Sequence, residues 1–307
     1  SVLVAGLSSY GAGGGPAGIA LAGGSLWVTV GGPGPRTPDV PQAVRAQHEG
    51  RLLRVNPQTG AVTAVADIGG YERANNPDGN TVDTNLQGVA VAADGSLLVS
   101  DAGGNALYRV NPVSGQLGVV AAFPGLPGPG PNPNRDGRAE LDPVPTGVAI
   151  GPDGAIYVGH LSGAPFPQGA AKVVRVSTDG RVSDAAGGMT AVTGVTVGPD
   201  RLLYVTESFA RFDPAAMPPP FAQPSRVLRV LADGRTQVAV DGLNFPYGTA
   251  FDRGGNLYVV VGANNGPGQG QVLRCARVAV PVLGLPATGG GSDHDSPGGG
   301  GDLPVAY

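Results

Sequence analysis

The sequence predicts an all-β fold, a β-propeller of four-stranded antiparallel blades. Three observations carry that expectation. One phrase recurs five times along the 307 residues: PAGIALAGGSLWVTV (16–30), LQGVAVAADGSLLVSD (86–101), PTGVAIGPDGAIYVGH (145–160), VTGVTVGPDRLLYVTE (192–207) and PYGTAFDRGGNLYVVV (246–261). Most copies hold an Asp-Gly or Gly-Gly pair at their middle, which supplies the positive φ of a tight hairpin. A third strand follows each copy, in LLRVNPQTG (52–60), LYRVNPVSG (107–115), VVRVSTDG (173–180), VLRVLADG (227–234) and VLRCAR (272–277). Units of this grammar, repeated radially, make a propeller.

Within a unit the first strand, Gly-Val-Ala-Val in type, carries the small and β-branched residues that suit a crowded interior. The second, Leu-Tyr-Val, alternates with the period of a half-buried strand. The third is Val-x-Arg-Val, and a fourth comes after the next turn as AVTAVADI, LGVVAAF, RVSDAAGGM and TQVAVDGL. The fifth unit lacks a proper turn and fourth strand. The chain begins SVLVAGL, which matches TQVAVDGL down to its closing Gly-Leu. The N-terminal strand Ser1–Leu7, with Val2 and Val4, is therefore expected to pair beside Val272–Arg277 and close the last blade, removing an exposed sheet edge.

Gly18, Gly88, Gly147, Gly194 and Gly248 mark equivalent positions of successive units. Their uneven spacing places insertions at 31–50, 69–85, 124–144 and 208–225. All are rich in Pro, Gly or Asn without an apolar period, so they read as loops on the faces of the disc. No helix longer than a turn is expected, and PQAVRAQHE (41–49) is the sole candidate. The propeller spans 1–280. Residues 281–307 form a Gly/Pro-rich tail ending in DLPVAY, a strand-like segment whose Leu303, Val305 and Tyr307 could bury against a neighbour.

Gly (54) and Pro (30) exceed a quarter of the chain, but the period and 41% hydrophobic content assign them to turns rather than disorder. A net charge of −4 without a basic cluster argues against nucleic acid as a partner. The lone Cys275 excludes an intrachain disulfide or a cysteine metal cluster. No run of 18 apolar residues spans a membrane. Ser1 in place of Met is read as the start of a processed chain, hence extracellular or cell-surface residence after signal-peptide removal.

The phrase GVAIGPDGAIYV with its trailing V-x-R-V is similar to NHL-type propeller repeats. More distinctive are YERANNPDGNTVDTN (71–85), SDAGGNALYRVNP (100–112), VPTGVAIGPDGAIYVGHLSGAPFPQGAAKVVRV (144–176) and LYVTESF (203–209). Over residues 1–275 the chain resembles the ScyD/ScyE family of secreted bacterial propeller proteins. That resemblance implies an exported propeller and a sixth repeat, where five are visible here; it implies no settled activity.

Residues ending the second strand are expected to look toward a mouth of the central channel: Asp101, His160 and Glu207, with Val30 and Val261 in the remaining blades. Asp, His and Glu suit a hard or borderline cation, or general acid–base work; polar residues also simply line solvated channels. The stretch Asn75 to Gly79, with Asn76, Asp78 and Asp83, is oxygen-rich and could take calcium, though EF-hand spacing is absent and Asx-turns explain it equally. Ser100, Asp101 and His160 lack the G-x-S-x-G elbow of a hydrolase. The tyrosines of the Leu/Ile-Tyr-Val strands read as packing residues. Leu285-Pro286-Ala287-Thr288-Gly289 matches a sortase sorting signal, without the apolar span and basic tail that should follow.

Together these readings favour a secreted or cell-surface, non-enzymatic propeller that binds or assembles, its partner itself or another surface component. Its most concrete form is a filament subunit joined through the tail. The alternative is a metal-dependent, lactonase-like hydrolase with its site at the channel mouth. No cofactor is required by the sequence, with calcium the one candidate.

Overall fold

The computed structural model describes residues 2–7, 14–32, 48–212, 225–263 and 268–280. Five antiparallel blades stand around a common axis, making a five-bladed β-propeller. Blade 1 holds β1 (Gly15–Ala22), β2 (Ser25–Gly31), β3 (Arg51–Val55) and β4 (Val62–Asp67). Blade 2 holds β5 (Leu86–Val91), β6 (Leu97–Asp101), β7 (Ala106–Val110) and β8 (Leu117–Ala122). A hairpin of β9 (Leu126–Asn132) and β10 (Arg138–Leu141) precedes blade 3, which is β11 (Pro145–Ile150), β12 (Ile156–His160), β13 (Ala171–Val176) and β14 (Val182–Met189). Blade 4 is β15 (Val192–Val197), β16 (Leu203–Glu207), β17 (Ser225–Val230) and β18 (Thr236–Leu243). Blade 5 has three strands, β19 (Thr249–Phe251), β20 (Leu257–Val261) and β21 (Gln271–Cys275).

The repeated glycines show why the sequence needs them. Gly18, Gly88, Gly147 and Gly194 lie on the innermost strands, and each meets the main chain of the next blade. A Cβ on Gly88 would fall 2.5 Å from the Thr146 carbonyl, and one on Gly147 would collide with the Val195 amide and sit 2.7 Å from the Gly194 Cα. Hydroxyls stitch the same contacts. Thr29 Oγ1 donates to the Gln87 carbonyl at 2.6 Å, Ser100 to the Thr146 carbonyl, and Thr146 Oγ1 to the Val192 carbonyl at 2.8 Å. Outward from the axis the blades pack through apolar cores, such as Trp27, Leu52 and Ala66 of blade 1 against Leu86, Val99 and Tyr108 of blade 2. Leu98, Leu107 and Phe123 of blade 2 meet Val158 and Val174 of blade 3 in the same way.

The series stops after blade 5. Gly248, just before β19, has nothing within 4 Å of its Cβ position. At the position of Thr29, Ser100 and Thr206, blade 5 carries Val260, which has no hydroxyl to donate. The expected N-terminal closure is met in position, while the expected strand pairing is not. Residues 2–7 form no strand, and among the described residues no main-chain hydrogen bond joins them to β21. They do occupy the fourth-strand place of the blade that precedes blade 1 in the ring, which is blade 5. The Leu3 carbonyl crowds Gly60 as the Val65 carbonyl of β4 crowds Gly115, and Val4 and Leu7 pack on Val28, Val30, Leu53 and Val55. Gly6 takes a positive φ like Gly188 and Gly242 at the matching points of β14 and β18, so residues 2–7 stand where the sequence match puts them, without ladder bonds to β21.

Two of the expected loops contain structure. Ile68–Asn75 forms a short helix, α1, capped by Asp67, whose side chain accepts from the Gly70 amide, and ended by Asn76 at φ 41°. Two glycines at its start and the missing apolar period concealed it from pattern reading. The 124–144 insertion folds back as the β9–β10 hairpin. Most of the 41–49 helix candidate, the tail 281–307 and its Leu285, Pro286, Thr288, Gly289, Leu303, Val305 and Tyr307 lie outside the described residues. No helix among the described residues is long and apolar enough to cross a membrane.

The glycine contacts yield a paired expectation. Gly147→Ala should lower the unfolding free energy by about 3 kcal/mol, since two main chains must separate. Gly248→Ala, with open space at its Cβ, should change it by less than about 0.5 kcal/mol. Urea midpoints of the two variants against the parent check both.

Candidate functional site

Antiparallel order puts every first-to-second and third-to-fourth strand turn on one face, and all of these are short. The other face receives the long segments: 68–85 with α1, the β9–β10 hairpin, and the loops after β12, β16 and β18. Any site built from insertions lies there.

Asp101, His160 and Glu207 end the second strands on that side, as expected, but none lines an open mouth. They are 0%, 2% and 0% exposed. Asp101 Oδ1 accepts from the amides of Asn85, Gly103 and Gly104 at 2.7, 3.1 and 3.2 Å. Glu207 Oε1 accepts from the Thr190 amide at 2.8 Å, and its Oε2 from Arg226 Nε at 2.6 Å. Each carboxylate thus ties the entry of its blade's innermost strand to the end of the second strand. His160 lies edge-on to Phe123 with centroids 4.6 Å apart, and neither ring nitrogen has a partner. Burial pushes its pKa down to about 3, so the ring is neutral. The three residues sit in successive blades and do not converge. Among the described residues no three His, Cys, Asp or Glu side chains are placed to hold a metal ion.

The oxygen-rich loop has a different use from a cation cage. Asp78 accepts from the Asn80 amide at 3.0 Å and from Asn105 Nδ2 at 2.9 Å. Arg135, 1% exposed, stands 3.9 Å from Asp78, 3.5 Å from Asp142 and 3.2 Å from Glu140. A guanidinium of the 124–144 insertion therefore supplies positive charge to Asp78 of the other insertion as well as to its own Glu140 and Asp142. Asp83 Oδ1 accepts from the Thr84 amide, and Asn76 Nδ2 donates to the Asn80 carbonyl. The insertions at 69–85 and 124–144 are locked into one shelf.

Beneath the shelf lies a pair that the sequence did not disclose. Glu72 of α1 is fully buried, and its Oε2 accepts from the Tyr108 hydroxyl at 2.9 Å. Its carboxylate and Asp101 Oδ2 both come within about 3 Å of one point, the Cβ position of Gly104. Glu72 Oε1 and Asp101 Oδ2 have no hydrogen-bond partner. Burial first, and the neighbouring acids after it, raise both carboxyls to about 7. Only the unpredicted helix could have pointed to Glu72.

On the far side of the same face the loops of blades 3, 4 and 5 bring four phenylalanines together. Phe166 meets Phe209 and Phe212 edge-on at 5.7 and 5.2 Å, and Phe209 stacks on Phe245 at 6.2 Å. Phe166 and Phe245 hold positive φ, 57° and 43°, which costs a bulky residue on the order of 1–2 kcal/mol. Between shelf and phenylalanines the Tyr247 hydroxyl donates to Gln87 Oε1, joining blade 5 to blade 2. Burial pushes this phenol up to about 12.

No family model matches the chain, and no curated protein matches it. Solved structures do. A structural-genomics target carrying a gluconolactonase name aligns at TM-score 0.53 and 14% identity over 89% of this chain and 80% of its own. Regucalcin from Agrobacterium tumefaciens, a calcium-binding protein, aligns at 0.52 and 15% over 87% and 72%. The nidogen/laminin complex aligns at 0.51 and 14% over 83% and 74%. At these identities the likeness establishes the propeller fold.

The buried acids set a pH dependence. A carboxyl whose pKa is raised in the folded state holds its proton there while the unfolded chain has lost it. Stability from that group is present at acid pH and declines as pH rises from about 4 to 7. Glu72→Gln keeps an acceptor for Tyr108 and has no charge to bury. It should gain on the parent in urea midpoint at pH 8 relative to pH 4.5; an equal difference at both pH values would contradict the assignment.

Proposed function

We propose that this chain is an extracellular or cell-surface, non-enzymatic binding and assembly module, with the insertion-bearing face as its ligand surface. The observation carrying this reading is the use made of Asp101, His160 and Glu207. At the ends of the second strands, where a propeller can gather a reactive set around its axis, Asp101 and Glu207 tie blade corners and His160 packs on Phe123. What the loop face offers instead is a rigid polar shelf beside a phenylalanine cluster, which suits recognition of a partly apolar partner. The sequence resemblance to the ScyD/ScyE family and the LPATG stretch support residence outside the cell.

Homomeric assembly is the concrete form of this reading. The terminal segment DLPVAY follows a Gly/Ser-rich linker, and strand addition to a neighbour would satisfy its main chain and bury Leu303, Val305 and Tyr307. Such a head-to-tail contact need not close, so it builds filaments. Light scattering tests it: the particle mass of the full chain should rise with concentration above the 30.4 kDa monomer, and deletion of residues 298–307 should hold it at one copy. A full chain that stays monomeric contradicts assembly.

A further inference from the structure

Three of the buried side-chain atoms left without a hydrogen-bond partner are oxygens from one neighbourhood: Glu72 Oε1, Asn76 Oδ1 and Asp101 Oδ2. A buried carboxylate oxygen that no donor meets calls for a proton, a water or a cation. The two acids are held in place by their other oxygens. Asp101 Oδ1 takes the amides of Asn85, Gly103 and Gly104, and Glu72 Oε2 takes the Tyr108 hydroxyl. Each therefore presents one fixed, free oxygen. The point where a Cβ on Gly104 would stand is 3.0 Å from Glu72 Oε2 and 3.1 Å from Asp101 Oδ2. Gly104 does not take a positive φ, so what this glycine provides is room between two carboxylates rather than a turn. Asn76 ends α1 one turn beyond Glu72, and its amide donates to the Glu72 carbonyl at 2.8 Å, so the two stand on one side of the helix. The charges that act on the pair from the adjoining loop, Asp78 and Asp83, are negative as well. Arg135 is turned to Asp78, Glu140 and Asp142 instead.

We propose that Glu72, Asp101 and Asn76 form a site for one hard divalent cation, calcium or magnesium, which clamps α1 to the turn between β6 and β7. The donor set carries the choice of ion. All three donors are oxygens, two from carboxylates and one from an amide, with no nitrogen or sulfur, and such sets suit hard cations. Two carboxylates balance a divalent charge, and water completes the coordination sphere. The ion supplies the counter-charge that two acids in a buried corner lack. The site lies off the propeller axis, between an insertion and blade 2. Its effect reaches the loop face, because α1 opens the segment whose Asp78 bonds to Asn105 and faces Arg135. The cation therefore sets how firmly the polar shelf is held. This goes beyond the binding reading and does not depend on it.

Titration calorimetry on the full chain, stripped with a chelator and held at pH 8, tests the site with calcium chloride and magnesium chloride separately. At least one of the two ions should bind once per chain, raise the melting temperature and slow amide exchange in residues 68–76. Glu72→Gln, which keeps an acceptor for Tyr108, should weaken binding by about tenfold or more and remove the rise in melting temperature. Asn76→Gly accepts the positive φ of that position and deletes the oxygen while leaving both carboxylates. It should weaken binding by a smaller factor, and it keeps the test open if Glu72→Gln does not fold. Asp184→Asn, at an exposed acid of blade 3, should bind like the parent. No binding of either ion by the parent overturns the proposal and leaves the corner to water or a shared proton. Parent-like affinity in Glu72→Gln or in Asn76→Gly overturns it in favour of an ion held elsewhere.

Discussion

The close approach of innermost strands at Gly88, Gly147 and Gly194 is the constraint on which the remaining structure depends. With a Cβ at any of these points, main chains now separated by little more than van der Waals contact would have to part. That approach brings the Thr29, Ser100 and Thr146 hydroxyls within reach of carbonyls one blade ahead. These buried bonds also satisfy polar atoms that would otherwise be costly at the axis. The apolar cores farther out then follow from blade spacing, since each third strand lies over the face of its neighbour. Where the approach fails, at Gly248, the hydroxyl is replaced by Val260 and the core opens at Val272.

The same economy explains the polar groups. Asp101 and Glu207 are buried because the entry of an innermost strand leaves amides that need acceptors. His160 does the equivalent job as an aromatic surface for Phe123 and stays neutral. Arg135 holds three carboxylates, Asp78 from one insertion and Glu140 and Asp142 from its own, turning two long insertions into one body. Glu72 and Asp101 are the exception, two carboxyls in one dry corner with an unpartnered oxygen each. Protonation near neutrality is the response physics predicts for charges that find no counter-ion.

How much of this could be read beforehand divides by range. Strands and turns were legible because their signals are local: the Asp-Gly pairs, the period-two Leu-Tyr-Val, the Val-x-Arg-Val that follows. The match of SVLVAGL to TQVAVDGL was legible too, and residues 2–7 do stand in an outer-strand place. That place is blade 5's, as the match implies, while the ladder to β21 depends on how closely blade 5 approaches blade 1, a property of the whole ring. Helix α1 was hidden by Gly69 and Gly70, and with it Glu72. The second-strand ends were picked out by position alone, and position cannot distinguish a residue facing a channel from one turned back to cap its own blade.

Hydrogen exchange on the chain at monomeric dilution tests most directly how blade 5 meets blade 1. Third strands β3, β7, β13 and β17 are bonded on both sides, so their amides should be protected to near the global unfolding free energy. Strand β21 is bonded on one side, so about half of its amides should exchange like exposed groups, together with those of residues 2–7. Uniform protection across β21, equal to that of β17, would mean that residues 2–7 pair with β21 as a strand and would contradict the unbonded edge of blade 5.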